Sequence, residues 1–282
     1  MAHIFIFGLG YTAQRVAKRL HLMGWRVDAT GSAGNVAFDD AQRVTAALGR
    51  ASHVLSCVPP KGGDPVLERY EDALAKHGGW LGYLSSTGVY GDTGGAWVDE
   101  SAPTGGGRRS ARSEADAHWL ELGARIFRLP GIYGPPANHR GRSALERVQE
   151  GKARRIDLPG QMFSRVHVDD IASGVIAALD APPGAYNLAD DEPCNQNAVI
   201  EEACRLLGIE PPPLQSIEEA GLSAQARAFY SENRRVANGK AKRVLGWKLL
   251  YPDFRTGLRA LSASTMPISA NAAPAAANHD QR

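Results

Sequence analysis

The sequence of 282 residues predicts an α/β protein: a doubly wound parallel sheet with a smaller C-terminal lobe. Three observations lead to this fold class. An almost wholly apolar strand, His3–Phe7, runs into a glycine-containing turn and then a helix. Strand and helix patterns alternate as far as Leu129, which is typical of βαβ units with right-handed crossovers. Beyond Pro130 the alternation of strands and helices becomes irregular. We assign most of this part of the chain to the smaller lobe.

The first βαβ unit is the best defined. His3–Phe7 is apolar enough to be a central strand buried on both faces. A helix follows over 12–23, with Gly24 as its stop, and a second strand over 25–30. One apolar stripe defines that helix, formed by Ala13, Val16, Ala17 and Leu20.

The same reasoning predicts the later elements. Short apolar runs bounded by Gly or Pro predict strands over 53–58, 80–85, 124–129 and 186–189. Helical spacing of apolar residues predicts helices over 44–48, 66–77, 111–122, 143–150, 168–179 and 199–207.

Composition sets limits on function. Hydrophobic residues make up 43% of the chain and charged residues 22%, as in ordinary soluble globular proteins. The net charge of +2, with scattered basic residues, gives no indication of nucleic-acid or membrane-surface binding. Cys57, Cys194 and Cys204 form neither a CxxC pair nor a metal-binding pattern, which fits a reducing cytoplasm. The sequence contains no signal-peptide pattern and no run of about 18 apolar residues, so we expect a cytoplasmic protein without a membrane span.

The pattern Gly8-x-Gly10-x-x-Ala13 lies between the first strand and the first helix. Gly8 permits a tight turn, Gly10 leaves room for a pyrophosphate, and Ala13 allows close packing of helix on strand. Tyr11 and Thr12 stand where the turn meets the helix, whose N-terminus attracts anions. We therefore predict a Rossmann-type dinucleotide site; a structural turn that binds no ligand is the alternative.

The end of the second strand bears on the choice of cofactor. NAD-binding enzymes usually place Asp or Glu about 20 residues after the glycines, but Thr30 and Ser32 stand in this zone and Asp28 comes two residues earlier. Without a carboxylate there, NADP is favoured and NAD is the alternative. Val58 and Pro59 end another strand, where a doubly wound sheet lines its ligand crevice. A solvated turn and a plain strand terminator are the structural alternatives for these positions.

The most informative stretch is 84–92 (LSSTGVYGD), in which two hydroxyl residues end an apolar run. Other landmarks follow in order over 98–103, 128–135, 165–172, 186–190 and 245–247. Together they resemble the extended short-chain dehydrogenases/reductases, the family of sugar-nucleotide epimerases and dehydratases. The GxGxxA loop is similar to that of the atypical, epimerase/dehydratase-like branch. The resemblance runs from about His3 to Leu261.

The resemblance implies roles for several residues. Ser86 would hydrogen-bond the reacting oxygen. Pro130 and Ile132 would lie near the nicotinamide, and Arg165 would face a substrate phosphate. It also implies a division into a dinucleotide-binding domain (1–135 and 164–190) and a substrate-binding lobe (136–163 and 191–261). From Ser262 the chain is rich in Ala, Ser and Asn without periodicity, which predicts a disordered tail over 262–282.

The family's Tyr-x-x-x-Lys pair is replaced. Arg108 stands at the Tyr position and Arg112 at the Lys position. A guanidinium stays charged and cannot act as the acid/base, although Arg112 could bond the cofactor and Arg108 an anionic substrate. A solvated basic face is the alternative. Tyr90 and Tyr133 are then the candidate proton donors, or else packing residues.

Three functions follow from these residues. The first is an NAD(P)-dependent oxidoreductase with a displaced acid/base, acting at a hydroxyl or carbonyl carbon of an unidentified small molecule. The second is a module that senses NAD(P)(H) without turnover. The third is a structural or partner-binding protein that keeps only the fold, disfavoured by the intact Gly8, Gly10 and Ser86. The resemblance also suggests a homodimer formed through the helices near 66–77 and 111–122.

Overall fold

The computed structural model describes residues 1–107, 110–135 and 143–265. Its strands are β1 (His3–Phe7), β2 (Arg26–Ala29), β3 (His53–Ser56), β4 (Trp80–Ser86), β5 (Trp97–Val98), β6 (Arg125–Leu129), β7 (Gly131–Tyr133), β8 (Arg155–Ile156), β9 (Arg165–His167), β10 (Gly184–Asn187), β11 (Leu214–Gln215) and β12 (Arg235–Val236). Its α-helices are α1 (Tyr11–Leu22), α2 (Ala41–Arg50), α3 (Pro65–Ala75), α4 (Ser110–Glu121), α5 (Ala144–Gln149), α6 (Val168–Ala177), α7 (Gln196–Leu207), α8 (Ala224–Phe229), α9 (Gly239–Leu245) and α10 (Phe254–Thr265). A 3-10 helix, Thr87–Tyr90, continues directly from β4.

The central sheet is parallel and has the strand order β10-β6-β4-β3-β1-β2 among the described residues. Alternate side chains of β1 enter different cores. Ile4 and Ile6 pack on the face that carries α1 and α6, while Phe5 and Phe7 pack on the face that carries α2, α3 and α4. The predicted α/β fold with a doubly wound parallel sheet is therefore confirmed.

Local sequence explains where two of the helices begin. Asp40 precedes α2, and its carboxylate accepts the Arg43 N–H. Asp64 precedes α3, where its carboxylate accepts the N–H groups of Val66 and Leu67 while Pro65 occupies the first helical position. Because the first N–H groups of a helix have no partner within it, these aspartates stabilise both starts. With these caps, α2 begins three residues and α3 one residue ahead of the apolar periodicity that predicted each helix.

A third apolar cluster lies outside the sheet, between α5, α7 and α10. It includes Leu145, Val199, Ile200, Phe254 and Leu258. β8 and β11 pair beside it as a two-stranded parallel sheet. This cluster is the core of the small C-terminal lobe.

Two segments differ from the predicted boundaries. Ala241 of α9 and the nearby Trp247 are buried in the sheet core on the α1 and α6 face, although the sequence assigned both to the lobe. Residues 262–265 belong to α10, so the disordered tail predicted from Ser262 is wrong for these four positions. Leu261 and Ser262 are buried, which favours helix there over solvated chain. The remainder of that prediction, 266–282, lies outside the described residues.

Several short strands outside the central sheet were not predicted. β7 pairs in parallel with β9, and β5 pairs with β12, which is more than a hundred residues away along the chain. The strand predicted over 186–189 instead spans Gly184–Asn187, because these four residues pair with β6. In the part of the chain that the structure describes, no helix is both long and apolar enough to cross a membrane.

Polar side chains form a buried network at the carboxyl ends of the central strands. Arg128 of β6 meets Asp116 of α4 in two hydrogen bonds, Nη2 to Oδ1 at 2.7 Å and Nε to Oδ2 at 3.1 Å. Ser85 of β4 donates to Asp116 Oδ2 at 2.6 Å. Arg128 Nη1 also donates to the Tyr90 hydroxyl at 3.0 Å, and that hydroxyl donates to Asn187 Oδ1 at 2.8 Å. The network thus joins three strands, α4 and the 3-10 helix.

Replacing Arg128 with Met should destabilise the fold severely. The substitution leaves the Asp116 carboxylate, whose side chain is 2% exposed, without its cation. We expect the free energy of unfolding to fall by about 3–5 kcal/mol in urea titrations followed by circular dichroism. Arg205→Ala, which removes an exposed guanidinium from Glu202 but leaves Arg259 beside that carboxylate, is the control and should change stability little. Equal losses in the two variants would contradict the assigned role of the network.

Candidate active site

The glycine turn after β1 is held from both neighbouring strands. Gly8 has φ +83°, in the left-handed region that favours glycine, and an added Cβ would lie 2.9 Å from Val58 Cγ2. The Gly8 N–H donates to Thr30 Oγ1 at 3.0 Å, and the Leu9 N–H donates to the Thr30 carbonyl at 2.7 Å. Thr30 is buried, and the hydrogen bond that its hydroxyl accepts from Gly8 stabilises the turn. Val58 is half-buried beside the turn, and Pro59 is exposed.

The N-terminus of α1 points out of this turn without a side-chain cap. Gly10 precedes the helix in extended conformation, and an added Cβ there would meet no atom of the described residues within 4 Å. Thr12 is half-buried, and Ala13 is buried against the sheet. The Tyr11 hydroxyl donates to the Pro135 carbonyl at 2.8 Å and so fastens the segment after β7 to the helix. Uncapped N–H groups beside open space are what a pyrophosphate needs, so these residues fit a dinucleotide.

At the end of β2, Asp28 turns away from the solvent-exposed turn. Its carboxylate contacts His3 Nε2 at 2.9 Å, Asn35 Nδ2 at 2.8 Å and Arg26 Nε at 3.2 Å. Burial alone would raise the pKa of Asp28, but these hydrogen bonds and charges outweigh it and hold that pKa below its usual value. Ser32 is exposed. Asp28 is therefore already paired within the protein.

A cavity of about 360 Å³ opens at the end of β4. One wall carries the predicted residues Ser86, Pro130 and Ile132. The facing wall comes from the end of α8, which contributes Phe229, and from the segment after it, which contributes Glu232 and Arg234. Ser86 is half-buried, and its Oγ accepts the Gly88 N–H at 3.1 Å, which caps the 3-10 helix. The hydroxyl of Ser86 thus reaches the cavity from a position that the backbone holds.

Neither candidate tyrosine lines this cavity. The Tyr90 hydroxyl is held between Arg128 and Asn187, and burial raises its pKa although Arg128 opposes that rise. The Tyr133 hydroxyl donates to the Asp253 carbonyl at 3.3 Å, and burial raises its pKa as well. Each hydroxyl is thus bonded to protein groups that do not line this cavity, although Tyr133 lines a second cavity next to it.

The arginines predicted to bind ligands lie in different environments. Arg112 is half-buried, and its Nη1 donates to the Tyr83 hydroxyl at 2.8 Å and to the Leu84 carbonyl at 3.1 Å. Arg112 therefore packs against β4, and its Nε makes no hydrogen bond among the described residues. Arg108 lies outside the described residues. The structure thus connects Arg112 with the strand that carries Ser86.

Arg165 lines a second cavity of about 190 Å³, between β7 and the helices α5, α7 and α10 of the small lobe. It is buried, and it donates to the carbonyls of Phe163 and Cys194 and to Gln196 Oε1. Arg147 shares this cavity, and burial lowers its pKa. Two cations beside apolar walls would suit an anionic group of a ligand.

The two cavities belong to one cleft, since both are lined by Gly131, Ile132 and Phe229. The cleft runs from Ser86 at the end of β4 to Arg165 of β9. Sequence reasoning missed Phe229, Glu232 and Arg234, because they follow a segment without clear periodicity and reach the sheet only through long-range contacts. The Arg234 Nη1 contact with the Gly91 carbonyl, at 2.6 Å, spans 143 positions along the chain.

A buried carboxyl, that of Asp190, lies next to Arg165, whose carbonyl accepts the Asp190 N–H at 2.7 Å. Asp190 is 1% exposed, and neither of its oxygens makes a hydrogen bond of good geometry within the described residues. Burial raises the pKa of Asp190 to about 8, although the Arg165 charge opposes the rise. Near neutral pH this carboxyl is therefore largely protonated.

Comparison with known proteins begins with sequence. No protein-family model matches the chain. Protein YeeZ of Escherichia coli K12 is 27% identical over 90% of this chain and 97% of its own length. The 3-diazoavenalumate denitrifying reductase of a Streptomyces species is 29% identical over 56% of this chain and 54% of its own length.

Solved structures extend the comparison. A conserved protein of unknown function from Silicibacter pomeroyi is 39% identical, with a TM-score of 0.82 over 94% of this chain and 99% of its own. The human epimerase family protein SDR39U1 with NADPH is 15% identical, with a TM-score of 0.74 over 93% and 99%. UDP-glucose 4-epimerase of Thermus thermophilus with NAD is 18% identical, with a TM-score of 0.66 over 94% and 100%. The last two show a shared fold.

Asp190 should make stability depend on pH. Its carboxyl keeps a proton in the folded protein up to about pH 8, whereas the unfolded chain releases that proton near pH 4. Its contribution to folding is therefore fully present below about pH 4 and declines as pH rises to about 8, by at most about 1.4 kcal/mol per pH unit. Asp190→Asn should thus stabilise the protein at pH 8 more than at pH 5.

Urea titrations at both pH values would measure this difference. Asp180→Asn, at an exposed position, is the matched control and should show no such trend. An Asp190→Asn variant whose stability relative to wild type is the same at pH 5 and pH 8 would contradict the buried, protonated state.

Proposed function

This chain belongs to the family of the conserved Silicibacter pomeroyi protein and has the extended short-chain dehydrogenase/reductase fold, and on that premise we propose that it is an NAD(P)-dependent oxidoreductase of the epimerase/dehydratase type. The observation that carries the proposal is that two parts of the site lie along the same carboxyl edge of the sheet. The uncapped N-terminus of α1 stands at the end of β1, and the Ser86 cavity opens at the end of β4. Ligands of open α/β sheets bind along this carboxyl edge.

Particular residues would hold the dinucleotide. Gly8, Gly10 and the first turn of α1 would bind its pyrophosphate, and Val58 and Pro59 would lie beside its ribose. Toward the nicotinamide, Arg112, Pro130 and Ile132 complete the site. When bound, the dinucleotide supplies or accepts a hydride at a carbon of the substrate. Ser86 would hold the oxygen on that carbon by donating a hydrogen bond, while Arg165 would hold an anionic group of the substrate.

NADP(H) is the cofactor that we propose, with NAD(H) as the alternative. The carboxylate of Asp28 is already paired with His3 and Asn35 inside the protein. A 2′-phosphate near the exposed Ser32 would thus meet no free carboxylate from β2. The fold relatives hold NADPH in one case and NAD in another, so they do not decide between the two.

A non-catalytic NAD(P)(H) sensor is the second candidate, and one observation favours it. Tyr90 and Tyr133 both have hydroxyls that are bonded to other protein groups, and Arg112 at the Lys position cannot exchange a proton.

For either candidate we propose a cytoplasmic location, with which the free thiols of Cys57, Cys194 and Cys204 agree.

Two glycine substitutions should separate binding from folding. Gly10→Ala adds a methyl group to open space at negative φ, so the free energy of unfolding should change by about 1 kcal/mol or less. The same methyl group would obstruct the pyrophosphate, and NADPH binding measured by fluorescence titration should weaken at least about tenfold. Gly8→Ala is the companion variant and should lower stability because of its φ and its contact with Val58. Unchanged NADPH affinity in Gly10→Ala would contradict the site.

The proposed activity can be tested with wild type and Ser86→Ala. Fluorescence titrations with NADPH and NADH should show binding, tighter for NADPH. A panel of aldehydes and ketones, followed by absorbance at 340 nm, should then identify a substrate. Ser86→Ala should bind NADPH as before but turn over about 100-fold more slowly. Binding of neither cofactor would refute the oxidoreductase and the sensor together; binding without turnover, unaffected by Ser86→Ala, would favour the sensor.

A further inference from the structure

We propose that Glu232, a residue of the segment after α8, is the acid/base of this site and takes the part that a tyrosine has in the related enzymes. The inference rests on the proposed function. It supplies a proton donor for that function, since the hydroxyls of Tyr90 and Tyr133 are bonded to other protein groups. Among the described residues that line the cavity with Ser86, Glu232 is the one whose side chain carries a carboxyl, a group suited to take up and release a proton.

Glu232 lies in the wall that faces the sheet. Its side chain is 7% exposed, yet it lines the same cavity as Ser86 and Pro130. It lines the connected space beside Thr87 and Ser164 as well. A carboxyl withdrawn from solvent but open to a ligand cavity has the setting in which proteins adapt acids to proton transfer.

The segment that carries Glu232 is held from two sides. The main-chain carbonyl of Glu232 accepts a hydrogen bond from Gln161 Nε2 at 2.8 Å. The N–H of the next residue, Asn233, donates to Asp92 Oδ1 at 2.8 Å, and Asn233 Oδ1 accepts the Met162 N–H at 3.0 Å. The segment therefore connects the lobe with the loop that follows the Ser86 turn, and it holds Glu232 over the cavity.

Arg234 connects the carboxylate of Glu232 with the turn that carries Ser86. Its Nη1 donates to Glu232 Oε2 at 2.9 Å and to the Gly91 carbonyl at 2.6 Å. Arg234 Nη2 and Ser86 Oγ approach the same point, the place of a Cβ on Gly88, to 4.0 and 3.3 Å. Arg234 thus fixes the carboxylate at the 3-10 turn that presents Ser86, and it would stabilise the charge that Glu232 acquires on losing a proton.

The proton balance of the reaction follows from this arrangement. In reduction, the carbonyl carbon gains a hydride from a reduced nicotinamide dinucleotide. Glu232 in its acid form gives a proton to the carbonyl oxygen, which Ser86 holds, and the product is an alcohol. The resulting carboxylate regains a proton from solvent through the cleft. In oxidation, Glu232 as carboxylate accepts the proton of the hydroxyl group.

Glu232→Gln is the central test, with Glu232→Asp as the conservative variant and Glu218→Gln, at an exposed position outside the described cavities, as the matched control. We expect Glu232→Gln to bind NADPH like wild type in fluorescence titrations. Its turnover of the carbonyl substrate should fall about 100- to 10,000-fold. Glu232→Asp should recover part of this loss, and the control should keep the wild-type rate.

A second readout does not depend on turnover. In protein labelled with ¹³C at the glutamate side-chain carboxyl, the Glu232 resonance is the one missing from Glu232→Gln. Saturating NADP⁺ should shift this resonance and leave that of Glu218 in place. A Glu232 resonance that does not respond to bound NADP⁺, or wild-type turnover by Glu232→Gln, would overturn the assignment while cofactor binding still supports the oxidoreductase. Failure of wild type to bind either cofactor would refute the proposed function itself.

Discussion

Inside the protein, the guanidinium of Arg128 meets the carboxylate of Asp116 with both side chains almost wholly removed from solvent. Charges buried in this way are tolerated only when every polar atom around them has a partner, because the protein interior solvates ions poorly. Ser85 and Tyr90 supply those partners here. The pair therefore determines how β4, β6, α4 and the 3-10 helix lie together, and Ser86 owes its position to that arrangement.

This constraint also affects the chemistry. A tyrosine close to Ser86 in sequence is an obvious proton donor, but the Arg128 network uses the Tyr90 hydroxyl both as acceptor and as donor. A group held so firmly serves structure. The remaining proton-exchanging side chain in the Ser86 cavity, within the described residues, comes from the facing wall. The proposed site is thus divided: the sheet would hold the cofactor and orient the reacting oxygen, and the segment after α8 would move the proton.

The parts of the site that could be predicted depend on local patterns. The glycine turn is an example, since Gly8 takes a positive φ within a turn that joins a strand and a helix adjacent in the sequence. Thr30 shows the limit of such reasoning. Its place at the end of β2 made it a candidate ligand, but its hydroxyl accepts the Gly8 N–H. Burial and hydrogen bonding, which decide between these roles, depend on strands that are brought together only by folding.

Alternating strands and helices, the GxGxxA turn and the hydroxyl residues that end β4 were all evident in the sequence by itself. They determined the fold class and the edge of the sheet at which a ligand would bind, because each depends on residues within a turn or two of one another. Only the tertiary structure decided which side chains share the cleft. Tyr90 bonds to a partner 97 positions away, and Arg234 to one 143 positions away. Local periodicity carries no information about contacts at such separations, since the packing of whole elements selects the partners of buried polar groups.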